Sequence, residues 1–254
     1  MNISKLKFDN SIDIVALGDS HYGDDLCDRA MFKRVVNRIA TEKDTYAILT
    51  GDLLNVGIAE SVTGSYGSET LGDELDEVCE VLKPIKDKII GFVSSNHHSR
   101  VERKTGLSID KEIASRLGIE YMGHVGVLNV VCGSSSYFIA IHHGAGGGRT
   151  MGAKANEIKH LEEIVPGCDI YLQGHTHTFQ HYVQSSFCIN RHRAKVDKVD
   201  THFITTGHYL DYEKGYAAEM KLRPSVKGSA MISLLASSRG CVGVKNVVVT
   251  MIDG

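Results

Sequence analysis

Five short polar clusters carry the residues able to do chemistry. They are Gly18-Asp19-Ser20-His21, Gly51-Asp52-Leu53-Leu54-Asn55, Ser95-Asn96-His97-His98, His142-His143-Gly144 and Gly174-His175-Thr176-His177. Each follows an apolar, strand-like run. Together they offer two carboxylates, an amide oxygen and several imidazoles, which is enough to hold two metal ions side by side. Asp19 and His21, two apart on an extended segment, point to one side and can grip one ion together. The same holds for His175 and His177. Asp52, with two carboxylate oxygens, is the best candidate to bridge two ions, and Asn96 adds an oxygen without adding charge. Gly18, Gly51 and Gly174 each precede a ligand, where glycine lets the backbone turn sharply and lets an ion approach.

Two divalent ions carry four positive charges, Asp19 and Asp52 supply two negatives, and a bridging hydroxide removes one more. The residual positive charge favours an anionic substrate such as a phosphate ester. Ions about 3.5–4 Å apart can activate a water and clamp the attacking and leaving oxygens of an in-line displacement. A metal lowers the pKa of bound water from 15.7 to roughly 7. Mixed nitrogen and oxygen ligation without Cys suits Mn, Fe, Zn or Co.

The elements that must position these clusters can be read from periodicity. Ile12–Leu17, Ala47–Leu49 and Ile89–Val93 read as strands buried on both faces. Phe32, Val35, Val36 and Ile39 recur at helical spacing, as do Leu75, Val78, Leu82 and Ile85. Asp73 and Glu74 suit the positive end of that second helix. Val125–Val131 and Tyr137–Ile141 flank Gly133-Ser134-Ser135-Ser136 and read as a hairpin. Ala153–Ile164 reads as a helix and Ile170–Leu172 as a strand. Tyr182–Ile189, His202–Thr206, Ala230–Leu235 and Val242–Met251 read as further strands. The stretch Val56–Gly72, rich in Gly, Ser and Thr, reads as a long functional loop beside the Asp52 cluster. The expectation is one α/β domain over residues 1–254, with two sheets packed together and helices outside. Buried strands of α/β folds present ligands beyond their carboxyl ends, which is where the clusters fall.

The order Asp-x-His, Gly-Asp-x-x-Asn, Asn-His, His, Gly-His-x-His resembles the calcineurin-like metallophosphoesterase superfamily, from Asp19 to His177. The resemblance implies a four-layer α-β-β-α sandwich with two mixed β-sheets. It implies a metal-dependent phosphoric ester hydrolase working by in-line attack of a metal-bridging hydroxide. One ion would take Asp19, His21, Asp52 and His177, and the other Asp52, Asn96, His142 and His175. Both would be divalent, with Mn favoured over Fe, Zn, Co or Mg. His142 is preferred to His143 because it directly follows the strand. His97 would protonate the leaving-group oxygen, an effect of about 10²–10⁴-fold for a general acid. Arg100 resembles a phosphate-binding arginine, and a guanidinium can hold phosphate bidentately. Three positions depart from the usual pattern: Ser95 stands for a glycine, His98 for an acid and Asn55 for a second aspartate. A phosphodiesterase or nuclease is the first reading. A phosphomonoesterase is the second, since Asn96-His97-x-x-Arg100 resembles protein serine/threonine phosphatases. A catalytically silent metal-binding scaffold comes third.

The remaining features have ordinary readings. His124, His160, His181, His192, His202 and His208 read as structural or surface residues, with His208 placed after a strand and able to approach the site. Gly144–Gly148 followed by Arg149 lacks Walker spacing and reads as a flexible loop beside the metals. Arg191, Arg193, Lys195 and Lys198 form a basic run open to nucleic-acid phosphates. The late stretch Asp211–Pro224 resembles phage- and prophage-type members of the superfamily. Apolar content of 42% supplies a full core, and a net charge of −3 requires neither a nucleic-acid nor a membrane partner. Six Cys without CxxC spacing read as reduced thiols. Met1–Asn10 lacks an apolar leader segment, so a soluble, cytoplasmic protein is expected, in a host cytoplasm if phage-encoded.

Overall fold

The computed structural model describes residues 3–56, 70–191, 193–215, 218, 221, 223–236 and 245–254. Strand β1 (Ile3–Phe8) leads into β2 (Ile12–Leu17), helix α1 (Arg29–Thr41), β3 (Thr45–Leu49), α2 (Leu71–Leu82) and β4 (Ile89–Phe92). Two short helices follow, α3 (Ser99–Thr105) and α4 (Ile109–Leu117), then the hairpin β5 (Val125–Cys132) and β6 (Ser135–His142). The chain continues through α5 (Met151–Ile164), β7 (Ile170–Gln173), β8 (Gln180–Asn190), β9 (Lys195–Thr205), β10 (Ser229–Leu234) and β11 (Val247–Ile252).

Two mixed sheets result. One runs β1-β5-β6-β7-β9-β8 and the other β11-β10-β2-β3-β4. Strand β2 is apolar except for the half-buried Asp13, because both of its faces are covered. Its Ile12, Ile14 and Ala16 enter the core between the sheets, against Leu128, Ile139, Ile141 and Leu172. Its Val15 and Leu17 face the helices, with Phe32, Val35, Val36 and Ile39 of α1 and Leu75, Val78 and Leu82 of α2. On the far side Ala140, Tyr171 and Phe203 receive Ile158 and Leu161 of α5. The layers are therefore α-β-β-α. Burying each such aliphatic side chain is worth about 1.5–3 kcal/mol, so the three clusters fix the layering and, with it, the strand ends that carry the site.

Several elements differ from the sequence reading. Strand β1 alternates exposed Ile3, Lys5 and Lys7 with half-buried neighbours, and its edge position, paired only with β5, explains the weak apolar signal. Ile85 belongs to a 3₁₀ segment, Lys83–Lys88, rather than to α2; Pro84 cannot continue the α-helical hydrogen bonding. Helix α4 buries Ile109, Ile113 and Leu117 at helical spacing, a period the sequence reading passed over. The two late strands become one long hairpin, β8–β9, whose turn and first rungs carry the basic run 191–198. Most of the long loop after Asp52, residues 57–69, and residues 237–244 lie outside the described residues; Leu71 and Gly72 already belong to α2, capped by a reciprocal Thr70–Asp73 pair.

Candidate metal centre

The loops after β2 and β3 keep the register of the sheet beyond the strands themselves. The Asp19 N–H donates to the Gly51 carbonyl at 3.0 Å, the His21 N–H to Asp52 at 3.1 Å, and the Tyr22 N–H to Leu53 at 2.9 Å. This ladder brings the Asp19 and Asp52 clusters side by side. The loop after β7 closes over them, with the His175 N–H donating to both Asp19 carboxylate oxygens at 3.1 and 2.9 Å. Gly174 makes that approach possible, since a Cβ there would lie 2.7 Å from Asp19 Oδ2.

Five of the candidate ligands hold left-handed backbone: Asp19 (φ 49°), His21 (50°), Asp52 (46°), His175 (66°) and His177 (49°). Asp and His adopt this region more readily than most residues, yet it remains uncommon. Non-Gly residues in sparse regions cost of order 1–3 kcal/mol each and cluster at functional sites. The segments are therefore curled, not extended. Asp19 and His21 still converge, but because each adopts the same left-handed turn with Ser20 between them. The sharp turn at Gly18 and Gly174 is taken by the ligand that follows, and the glycines supply room instead.

Three groups of donor atoms each lie within 4.8 Å of one another: Asp19–His21–His177, His21–Asp52–His97 and Asp52–His143–His175. In the first, the Nε2 atoms of His21 and His177 stand 3.0 Å apart and His177 Nε2 lies 3.3 Å from Asp19 Oδ1. In the third, His143 Nε2 lies 3.0 Å from Asp52 Oδ2. Asn96 joins this group through a 2.9 Å contact of its Nδ2 with His175 Nδ1. His97 closes the ring: its backbone N–H donates to Asp52 Oδ1 at 3.1 Å and its Nε2 stands 3.7 Å from Asp52 Oδ2. Arg100, one helical turn further, carries its charge near His97.

The distal ring nitrogens are tied outward. His143 Nδ1–H donates to the Thr50 carbonyl at 2.8 Å and His175 Nε2–H to the Gly146 carbonyl at 2.7 Å. His97 Nδ1–H donates to the Asn55 carbonyl at 3.3 Å, and His177 Nδ1 pairs with the Tyr212 hydroxyl at 2.7 Å. Metal-bound imidazoles show this pattern, because the outer hydrogen bond selects the tautomer whose other lone pair faces inward. One inward atom, Asn96 Oδ1, is buried without a hydrogen-bond partner. Burial, reinforced by neighbouring imidazoles, holds His21 well below the usual histidine range and lowers His175 as well. His97 is also lowered, chiefly by burial, against the pull of Asp52. Neutral imidazole is the form that ligates a cation. His143 goes the other way: burial disfavours its charge, but Asp52 outweighs that and pushes it up to about 9. Asp52 is correspondingly held well below the carboxylate range by His143 and His97, against its burial. The proton shared there occupies the place of a cation. Carboxylates, imidazoles and an amide oxygen, with no thiolate in any of the three groups, fit divalent ions of intermediate hardness.

At His142-His143 the structure places His143, not the expected His142, beside Asp52 and His175. Tyr137, Ile139 and Ile141 of β6 point between the sheets, while Phe138 and Ala140 point to the α5 side. His142 shares the second parity. Its Nδ1 accepts from the Gly144 N–H at 2.8 Å, and burial with His143 alongside lowers its pKa to about 4. His143 shares the parity of the inter-sheet face, which opens at this end onto Asp52. The period-2 count along β6 was available in the sequence and points to His143.

Other residues at the site left little local signal. Asp110 of α4 accepts His98 Nδ1–H at 2.6 Å, the Ser95 N–H at 3.2 Å and both the Ser94 and Ser95 hydroxyls at 3.3 Å. His98 Nε2 in turn accepts the Leu54 N–H at 3.2 Å. The unusual Ser95 and His98 thus find their acid on another element, and Asn96 and His97 are suspended between them. His208 is fully buried, its ring stacked on His177 with centroids 5.1 Å apart and on Tyr212 at 4.7 Å. Burial pushes its pKa down to about 2, so it packs as a neutral ring.

No family model matches this chain, and no curated protein matches it. Among solved structures it is similar to a conserved uncharacterized protein of Streptococcus pneumoniae described as a predicted phosphoesterase, at 13% identity and a TM-score of 0.39 over 94% of this chain and 98% of that one. It is similar to a metallophosphoesterase from Sphaerobacter thermophilus at 10% identity and a TM-score of 0.41, over 87% and 83%. A Thermotoga maritima protein solved by solution NMR matches at 13% identity and a TM-score of 0.35, over 95% and 99%. Substrate and mechanism rest on the residues of the site itself. Among the described residues no helix is long and apolar enough to cross a membrane.

Proposed function

We propose that the protein is a metal-dependent phosphoesterase, with one divalent ion held by Asp19, His21, Asp52 and His177 and a second by Asp52, Asn96, His143 and His175. The supporting observation is the ring of imidazoles with pinned outer nitrogens and inner nitrogens turned toward Asp19 and Asp52, beside the unpartnered Asn96 Oδ1. Asp52, the carboxylate that belongs to two of the donor groups, would be shared by the two ions. When bound, the two ions supply Lewis-acid stabilisation of the phosphoryl oxygens and lower the pKa of a water to near neutrality. Mn is the ion chosen for loading, and the donor set fits Fe, Zn or Co as well.

The chain's own residues do the rest. His97 lines the cleft beside Asp52, and its Nδ1–H bond to Asn55 keeps Nε2 directed at the site. In protonated form Nε2 delivers its proton to the leaving oxygen as the phosphorus–oxygen bond breaks; water contributes hydroxyl to phosphorus and restores the proton. Within this class the diester reading is preferred, because the cleft beyond the metals is rich in cations. The test is metal content by mass spectrometry together with hydrolysis of bis-p-nitrophenyl phosphate and p-nitrophenyl phosphate after Mn²⁺ loading. Two ions per chain and a faster diester reaction are expected. A faster monoester reaction transfers the protein to the phosphatases, and a fully loaded protein inert to both leaves only the scaffold reading.

A further inference from the structure

The cleft that opens from the metal centre has a volume of about 380 Å³, within the range of small-molecule sites. One wall is the site itself. Beyond the site residues Asp52, His97, His175 and His177, the lining carries Arg149, Lys154, Lys221 and Arg223 as cations and Glu157 as an acid, with Tyr212 among them. Four cations against one acid stand out on a chain whose net charge is −3. Such a local reversal in a cleft concentrates anions there, not over the surface at large.

The bound ions would engage the reacting phosphate, which leaves these cations to serve a different anion. Lys154 is fixed in place: its ammonium donates to the Thr176 carbonyl at 2.8 Å and to the Thr178 hydroxyl. Thr176 lies between His175 and His177, so this charge is tied to the metal loop itself. An ammonium has three donors, and two are used, leaving one for the cleft. Arg149 and Arg223 add planar guanidinium forks, which match the paired oxygens of a phosphate. Among the described residues nothing would lie within 4 Å of a Cβ at Gly146 or Gly147, so the loop wall is open to a ligand.

We propose that this cleft binds a second phosphate of the substrate, and that the protein acts on phosphodiesters flanked by another phosphate, as along an oligonucleotide. The inference rests on the phosphoesterase reading above and narrows its substrate class. Its test compares thymidine 3′-monophosphate with thymidine 3′,5′-bisphosphate by calorimetry on the Mn²⁺-loaded protein, and d(TpT) with d(pTpT) as substrates. The added phosphate is expected to lower Kd and KM about tenfold, the effect of one charge-assisted hydrogen bond. The Arg149→Ala/Arg223→Ala variant is expected to bring both ratios close to one. A wild-type ratio below about twofold, or a ratio that survives in a correctly folded double variant, overturns the inference. Hydrolysis of bis-p-nitrophenyl phosphate without any second-phosphate effect overturns it while leaving the phosphoesterase reading intact. A second-phosphate effect on Kd with no hydrolysis of any ester overturns the phosphoesterase reading, and the substrate class falls with it.

Discussion

Replacing Asp110 by Ala removes the acceptor for the His98 Nδ1–H, the Ser95 N–H and two serine hydroxyls, all buried. The hydroxyls can rotate to new partners, but the ring N–H and the backbone N–H cannot. Two stranded donors at about 1–3 kcal/mol each predict a loss of about 2–6 kcal/mol, a melting point lowered by about 4–24 °C in a chain of this size. The loss also reaches the site. Asn96 and His97 lie between Ser95 and His98, so slackening those two anchors moves a candidate ligand and the candidate acid together. Losing the groups that hold a ligand in position weakens metal binding about 10–100-fold, and a misplacement of about 1 Å costs about 100-fold in rate. The assay is thermal melting, Mn²⁺ titration, and kcat and KM for bis-p-nitrophenyl phosphate at saturating metal. The expected result is a fall in kcat with KM little changed and with weaker binding of one ion. An Asp110→Ala protein that melts lower yet keeps wild-type kcat and metal affinity would refute the positioning argument and leave Asp110 purely structural.

His143→Ala is expected to remove one metal equivalent and reduce turnover to background, whereas His142→Ala, which loses one contact with the Gly144 N–H, should change stability by about 0.5 kcal/mol or less; metal analysis of the pair decides between the two histidines. Gly174→Ala would place a methyl 2.7 Å from Asp19 Oδ2 and 3.2 Å from Thr50 Oγ1, an overpacking that costs about 1–3 kcal/mol and should lower metal content in the purified protein. Asp28 caps α1 by accepting the Met31 N–H at 2.9 Å and pairs with Lys227 at 2.7 Å, so Asp28→Ala should cost about 1 kcal/mol in urea unfolding at neutral pH. Burial works against it, but Lys227 and the Met31 N–H together lower the Asp28 pKa. Its contribution is therefore complete above the unfolded carboxylate value of about 3.9 and fades as pH falls through the lower folded value, so the gap between wild type and Asp28→Ala should close in acid; a gap that widens there would contradict the assignment.

Much of the centre was visible locally. Asp19, His21, Asp52, Asn96, His97, His175 and His177 each fall within a few residues of a buried apolar run, and a strand buried on both faces must end in a loop at the edge of the core. That relation is short-range, so residue order along the chain carries it. The helices with clear apolar spacing were visible for the same reason. Strand β1 was not, because an edge strand with alternating lysines buries too little to leave a pattern. The two-residue alternation along β6 was also present in the sequence and places His143, not His142, on the inner face.

The outer contacts had no such trace. Asp110 reaches His98 from a helix twelve residues on, Tyr212 reaches His177 across 35 residues, and Lys154 reaches Thr176 across 22. Nothing local in the sequence marks any of the three as part of the centre. Which of them meets the centre depends on the order β1-β5-β6-β7-β9-β8 and on the side from which α4 and α5 pack. The sequence by itself determined that candidate donors of these types fall at strand ends, since that follows from local periodicity and side-chain chemistry. The tertiary structure alone decided the tautomers, the anchoring of Asn96 and His97, and the cationic wall of the cleft, because each arises where distant elements are pressed together by burial of their shared core.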